Sequence, residues 1–443
     1  MQVEILDKIM GSGKSYAALR YIETLVNNSN EEKWIFCTEF LSEISSRTTE
    51  DGCLAKGKWR TPSNEDGTKV QNFIELLQES DVQLIAITHK LFLEATQNST
   101  VRSLLTKHKY KMFLDETVTV FNPYTGMTTG DFRWHYEQGR IAIDSNNYGK
   151  VSWLDQSIKP FSSVYTDTDD LDYEYTEKLS VDRFVMDQNR IYAALDGKRV
   201  SLVSIIDPLS FTCFDRVILG TYQFKGTILD AYFRMFKINT ISCSCIETKF
   251  TTKKEDIKSL IELVNEYNRK FNRLNLSSKW YDGADQEQFK LISNTIRSIG
   301  DKYGAKGKPE LVGYTLPKKY LGSQRGGGVQ PKGYPHTICL VDETGRSIDG
   351  TKDKAKSGHI PCTSRASNEY QDKQIMIHIY NRYPQLIVSN YLDHYELEYS
   401  KELFALNELV QWIWRSAIRN RKNIKLAVLS KRMREIFERW LDN

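Results

Sequence analysis

The chain has 443 residues, 40% of them hydrophobic and 27% charged, which supplies a sizeable core and excludes wholesale disorder. At ~100–200 residues per domain, roughly two to four domains fit. Lys and Arg number 61 against 57 Asp and Glu, a net charge of +4; that balance is too mild to announce nucleic acid, so any basic surface must come from local clustering.

The seven cysteines, an odd number, do not make a disulfide framework and point to a reducing, cytoplasmic compartment. Cys243 and Cys245, the closest pair, are expected on one face of a strand. With no His at ligand spacing beside them, zinc is disfavoured there. The N-terminus has neither a basic nor a long apolar region, so no signal peptide is expected. No apolar run approaches ~18 residues, so no membrane span is expected.

In chain order, Val3–Ile9 predicts a strand and Lys14–Asn27 a helix, with Ala18, Tyr21, Ile22 and Leu25 on one face. Lys33–Thr38 predicts a second strand, followed by a helix from about Glu39. Val70–Leu77 reads as a helix, Leu84–Ile87, Met112–Leu114 and Arg216–Leu219 as further strands. Short apolar strands separated by helices predict a parallel sheet covered on both faces. Residues 122–195, rich in Asp, Tyr, Thr and Asn and including Asp167-Thr168-Asp169-Asp170, break this rhythm and read as an insertion. A second alternation follows: Ile257–Tyr267 helix, Ser277–Tyr281 strand, Glu287–Ile299 helix, Leu311–Thr315 strand. Ile338–Val341 and Ile375–Ile379 are strand candidates, Glu402–Arg419 a strong helix, Ile424–Leu429 a strand and Lys431–Leu441 a closing helix. The simplest division is 1–245, with the insertion, and 246–443.

Gly11-Ser12-Gly13-Lys14-Ser15 follows a predicted strand and opens a predicted helix, the context a phosphate-binding loop requires. The glycines let the backbone approach phosphates, and the helix N-terminus offers unpaired N–H groups. Lys14 is placed to reach β- and γ-phosphates, and Ser15 to ligate Mg²⁺. The full G-x-x-x-x-G-K-[ST] pattern has Gly where this chain has Lys8. The partner is Met112-Phe113-Leu114-Asp115-Glu116, an apolar strand ending in two carboxylates. Asp115 is assigned to Mg²⁺, and Glu116 to orienting and deprotonating the attacking water of ATP hydrolysis.

With these motifs the chain resembles a superfamily 2 DEAD/DEAH-like helicase of bacteriophage type. That resemblance implies an α/β fold with two RecA-like parallel-sheet domains in tandem. Phe36–Leu41, with Thr38, and Ile85–Phe92, with Thr88 and His89, resemble strand-end segments that touch the nucleic-acid backbone. Val217–Tyr222 stands where such helicases carry Ser-Ala-Thr, and Thr221 would couple hydrolysis to domain movement. Pro361–Tyr370, with Arg365, is similar to the fifth family motif, and Gln411–Arg419 to the sixth, Q-x-x-G-R-x-x-R. Here Trp414 replaces the Gly and the second Arg comes one residue late. The resemblance gives Gln411, Arg415 and Arg419 roles in an ATP site between the domains.

On the predicted helix, Leu403, Leu406, Val410, Ile413 and Ala417 form an apolar stripe, and Gln411, Arg415 and Arg419 a polar one. Lys302, Lys306, Lys308, Lys318, Lys319, Arg325 and Lys332 cluster, and Arg421, Lys422, Lys425, Lys431, Arg432 and Arg434 form a second group. Both are candidate backbone contacts, with Tyr314, Tyr320 and Tyr334 as stacking platforms. The function expected is an ATP-dependent DNA helicase or translocase in phage replication or recombination, working as a monomer, with RNA as the alternative substrate. Two rivals stand: a phage DNA-packaging motor ATPase, and a nucleic-acid-binding module without turnover.

Overall fold

The computed structural model describes residues 2–40, 59–64, 67–154, 183–248, 252–322, 327–341, 347–353, 356–362 and 369–442. The helix expected from Glu39, the Asp167–Asp170 run, Arg325 and Arg365 fall outside the described residues.

The first half runs β1 (Gln2–Asp7), α1 (Lys14–Asn28), β2 (Trp34–Thr38), α2 (Lys69–Gln78), β3 (Leu84–Thr88), α3 (His89–Ala95), α4 (Ser99–Lys107) and β4 (Lys111–Asp115). There follow β5 (Phe121–Pro123), α5 (Thr129–Glu137), β6 (Ile141–Asp144), β7 (Lys150–Trp153), β8 (Ile191–Asp196) and β9 (Arg199–Ile205). β10 (Arg216–Thr221), α6 (Ile228–Met235) and β11 (Asn239–Ser242) complete it. The second half holds α7 (Lys254–Lys258), β12 (Ile261–Leu263), α8 (Ser278–Asp282), α9 (Gln286–Lys302), β13 (Val312–Thr315), β14 (Cys339–Val341) and β15 (Ser347–Lys352). It ends with β16 (Ile375–His378), α10 (Leu386–His394), α11 (Lys401–Ile413), β17 (Ile424–Val428) and α12 (Lys431–Asp442).

Among the described residues, one parallel sheet has the order β11-β1-β10-β4-β2-β3 and another β12-β17-β16-β13. The molecule is thus α/β, with two parallel-sheet halves in tandem and an insertion in the first, as the sequence predicts. Strand alternation explains the layers. Trp34 and Phe36 face α1 with Ala18, Leu19 and Ile22. Ile35 and Cys37 face Phe73, Leu91 and Leu105 on the other side. Both faces are covered, so each strand is a continuous apolar run.

The insertion is an antiparallel sheet, β5-β9-β8-β7-β6, that runs on to Ile205. α10, from the second half, lies on this sheet. Its Val388, Tyr391 and Leu392 join the first-half core. Tyr391 donates to the Tyr148 carbonyl at 2.7 Å, and Tyr395 to that of Ala193 at 2.8 Å.

Three expected elements change. Residues 257–267 end their helix at Lys258 and form the edge strand β12 against β17. Ser277–Tyr281 is helical, because Ser277 accepts from the Trp280 amide and caps α8. The helix expected over Glu402–Arg419 stops at Ile413. Ser416, extended at φ −76° and ψ −172°, starts a separate 3₁₀ turn, Ala417–Asn420. Its hydroxyl donates to the Ile413 carbonyl at 2.7 Å, turning the chain away from the helix. No helix of the described residues is long and apolar enough to cross a membrane.

Candidate nucleotide-binding site

β1 delivers the loop and α1 begins at its end. Gly11 and Gly13 have φ of 77° and 81°, the left-handed region that glycine enters without steric cost. Lys14 is buried, curled over its own loop. Its Nζ donates to the carbonyls of Lys8 at 2.8 Å and Ile9 at 3.4 Å, and lies 3.9 Å from Glu116 Oε1.

β4 brings Asp115 to the same place. The Ser15 hydroxyl sits 2.8 and 2.7 Å from the two Asp115 carboxylate oxygens. These are hard oxygen donors of the kind Mg²⁺ takes, at the N-terminus of α1. His89 Nε2 is 2.9 Å from the Asp115 carbonyl; the carbonyl only accepts, so that nitrogen carries the proton. Glu116 is held at φ 70°, its amide donating to the Gly220 carbonyl at 2.8 Å. A non-glycine residue in this region stores strain of order ~1–3 kcal/mol, a cost that clusters at functional sites. Thr221, buried at the end of β10, accepts from the Lys8 amide at 3.0 Å through its carbonyl. Loop, β4 end and β10 end are therefore tied into one carboxyl edge.

The second half closes over this edge. Gln411, near the end of α11, places Nε2 3.5 Å from Glu116 Oε2. Thr252 donates its hydroxyl to the Gly11 carbonyl at 3.1 Å, and Arg421 donates to that hydroxyl at 3.1 Å. Met10 is buried in the second-half core with Ile360, Tyr370 and Trp412. The Trp414 indole lies on Gly11 so closely that a Cβ there would stand 2.2 Å from Trp414 Cζ2. Gly11 is thus required by its φ and by its neighbour.

The polar stripe expected of Gln411, Arg415 and Arg419 does not exist as a helix face, because α11 ends before Arg415. Arg415 is 3% exposed and donates to the Pro361 carbonyl at 3.0 Å. Arg419 lies in the 3₁₀ turn. Sequence reasoning missed Met10, Thr252 and Trp414 as contacts of the loop. The only signal was Trp414 in place of a motif glycine.

The expected nucleic-acid contacts fare unevenly. Thr38 and His89 are buried. The Thr88 hydroxyl accepts from the Leu91 amide and caps α3. Tyr314 and Tyr334 are core residues, 0% and 1% exposed, so neither is a stacking platform. Tyr320 packs on Tyr281, with ring centroids 5.2 Å apart. Lys318 and Lys319 sit on a 3₁₀ turn; Lys319 pairs with Asp282 at 2.8 Å and Lys302 with Glu266 at 2.7 Å. Arg434 is buried and bonds the Val428 carbonyl.

The fold and site together define an α/β protein with two parallel sheets and a phosphate-binding-type loop at the carboxyl edge of the first. A family model described as the YonV C-terminal Rossmann-like domain matches residues 255–441, the span that holds the second parallel sheet. The whole chain is similar to the SPbeta prophage-derived uncharacterized protein YonV of Bacillus subtilis (strain 168), 25% identical over an aligned span of 453 positions that covers 100% of this chain and 99% of that one. Among solved structures it is similar to that titled "Structure of S. tokodaii Xpd4", at 10% identity and a TM-score of 0.42, over 99% of this chain and 94% of that chain.

Proposed function

We propose that this chain is an ATP-dependent nucleic-acid translocase and helicase, acting on DNA in phage replication or recombination. The observation that carries the reading is the Ser15–Asp115 pair at 2.7–2.8 Å, which joins a glycine loop and helix N-terminus to the end of β4. Bound phosphates would replace the Lys8 and Ile9 carbonyls as partners of Lys14. Ser15 and Asp115 would hold Mg²⁺, which supplies charge neutralisation on the β- and γ-phosphates. Glu116 orients and deprotonates the attacking water. Gln411 reaches Glu116 from the other half, so closure of the halves and hydrolysis are linked. Arg419 is the cation we assign to the γ-phosphate; Arg415, buried on Pro361, is assigned to holding the segment in place. Thr221, which accepts from Lys8, would pass loop movement to β10. The likeness to a prophage-derived protein supports the phage setting.

The test is ATP turnover with and without single-stranded DNA and RNA, joined to strand displacement on forked duplexes. DNA-stimulated turnover lost in Lys14→Ala is the expected result. Nucleotide binding without turnover under any condition would favour the binding module; turnover indifferent to nucleic acid would remove the translocase.

A further inference from the structure

A second cluster of reactive side chains lies away from the loop, where β1, β10 and the chain after β11 meet. β11 ends at Ser242, so Cys243 and Cys245 follow the strand rather than lie in it. Their side chains nonetheless share one side, with sulfurs 3.5 Å apart. Cys243 is buried and its amide is pinned to the Ile5 carbonyl of β1 at 2.9 Å. Cys245 is exposed. Arg216 Nη2 donates to Cys245 Sγ at 3.0 Å and grips Glu4 with bonds of 2.6 and 2.8 Å. Tyr21 accepts from Arg216 at 3.1 Å.

Glu4, Cys243 and Cys245 together could hold a metal ion, yet the Arg216 guanidinium already takes both Glu4 oxygens and touches Cys245. A cation would have to enter beside that positive charge and break its pairing. What remains is two sulfurs side by side, one buried and one open to solvent. We propose that Cys243 and Cys245 form an oxidisable dithiol, with Cys245 as the thiol attacked from solvent and Cys243 as its resolving partner. The oxidant is hydrogen peroxide. The Cys245 thiolate attacks one peroxide oxygen; the O–O bond breaks, and the departing hydroxide takes a proton and leaves as water. Cys245 is now a sulfenic acid. Cys243 gives up its proton and its sulfur attacks Cys245; the S–S bond forms, the S–O bond breaks, and the hydroxyl leaves as a second water. Closing 3.5 Å to a disulfide bond of about 2.05 Å needs a modest shift, which falls to Cys245 because Cys243 is fixed to β1. An exposed thiol beside a resolving thiol is the arrangement that selects for reversible oxidation.

Trypsin places both cysteines in one peptide, Ile238–Lys249, between Lys237 and Lys249. The full-length reduced protein is treated with stoichiometric hydrogen peroxide, its free thiols are alkylated, and the digest is weighed. The expected result is that this peptide loses the mass of two hydrogens and escapes alkylation, while the peptides bearing buried Cys37 and Cys213 are alkylated after unfolding. Cys243→Ser should leave Cys245 as a sulfenic acid that dimedone labels, and Cys245→Ser should abolish both products. Alkylation of both cysteines in peroxide-treated wild type would overturn the proposal. So would stoichiometric zinc in the purified protein that protects the pair.

Discussion

Replacing Gly11 by Ala probes the grip of the second half on the phosphate-type loop. Two costs arise from different places. Gly11 sits at φ +77°, where an L-residue pays about 1–2 kcal/mol. The new Cβ would also lie 2.2 and 2.4 Å from two ring atoms of Trp414. The indole must move, and forcing extra volume into a packed contact costs about 1–3 kcal/mol. Removing the indole separates these costs. In a Trp414→Ala background Gly11→Ala should keep the backbone cost of about 1–2 kcal/mol and lose the steric one. The cycle should therefore show a coupling of about 1–3 kcal/mol. The assay is urea unfolding of wild type, both single variants and the double variant under one protocol, read by circular dichroism. If Gly11→Ala costs the same with and without the indole, Trp414 does not lie on the loop and the interdomain contact is wrong.

Lys14→Ala should abolish ATP turnover and lower the melting temperature modestly, because it strips a buried donor from the Lys8 and Ile9 carbonyls; turnover near the parent rate would refute its role. Glu116→Gln should bind Mg·ATP and hold it unhydrolysed, seen as retained labelled nucleotide after gel filtration. Arg415 and Arg419 should separate: Arg419→Ala lowers DNA-stimulated turnover by ~10³ or more at near-normal stability. Arg415→Ala strips a buried donor from the Pro361 carbonyl and costs about 1–3 kcal/mol of stability, measured by thermal melts. Burial lowers His359 to about 4 and His378 to about 3, from 6.5. Below pH 6.5 the unfolded chain takes up protons that these two folded-state rings refuse, so their contribution is present above 6.5 and is lost as pH falls towards 4. Melting temperature should drop over that window, and His378→Phe should flatten the drop; an unchanged slope would show that the ring is protonated in the fold.

The strands of the first sheet were legible because each is a short apolar run with turn residues on either side, and Gly11 and Gly13 because only glycine suits the backbone they require. The pairing of Ser15 with Asp115 was legible too, since each motif brings its own element to the same edge of a parallel sheet. What misled was local ambiguity. Apolar spacing of three and four continues through Ala417, but Ser416 prefers its own hydrogen bond to the Ile413 carbonyl and ends the helix. Trp280 and Tyr281 look strand-like, but Ser277 caps a helix ahead of them. Tyr314 and Tyr334 interleave with lysines, which resembles a base-stacking surface; in the fold the Tyr314 hydroxyl donates to the Tyr334 carbonyl, and Tyr334 reaches Asp301. An aromatic residue's place among cations in sequence does not say which side of the sheet it takes. Apart from Gln411 beside Glu116, contacts between the two halves were not legible. α10 was not among the predicted elements, and nothing in its sequence says that its partner is a sheet more than a hundred residues earlier.

That last contact bears on how the halves move. Among the described residues the second half touches the first at three places: Trp414, Thr252 and Met10 at the phosphate-type loop, Ser400, Glu398 and Trp440 on Gly226, Arg234 and Tyr222, and α10 on the inserted sheet. They differ in kind. At the loop the second half presents side chains, and Gln411 meets Glu116 at 3.5 Å, a long contact that a small shift makes or breaks. On the inserted sheet Tyr391 and Leu392 are part of the first-half core, and leaving it would expose large aromatic area. A nucleotide-driven movement would therefore carry α10 with the first half and reposition the second sheet beneath it. Residues 379–385, before α10, would then take up the change in backbone angles, as hinge segments do, while the segment after α10 is tied to the first half by the Ser400 amide on the Gly226 carbonyl and by Arg234 on the Glu398 carbonyl. The inserted sheet, through α10, becomes the fulcrum, and the loop contacts become the part that opens.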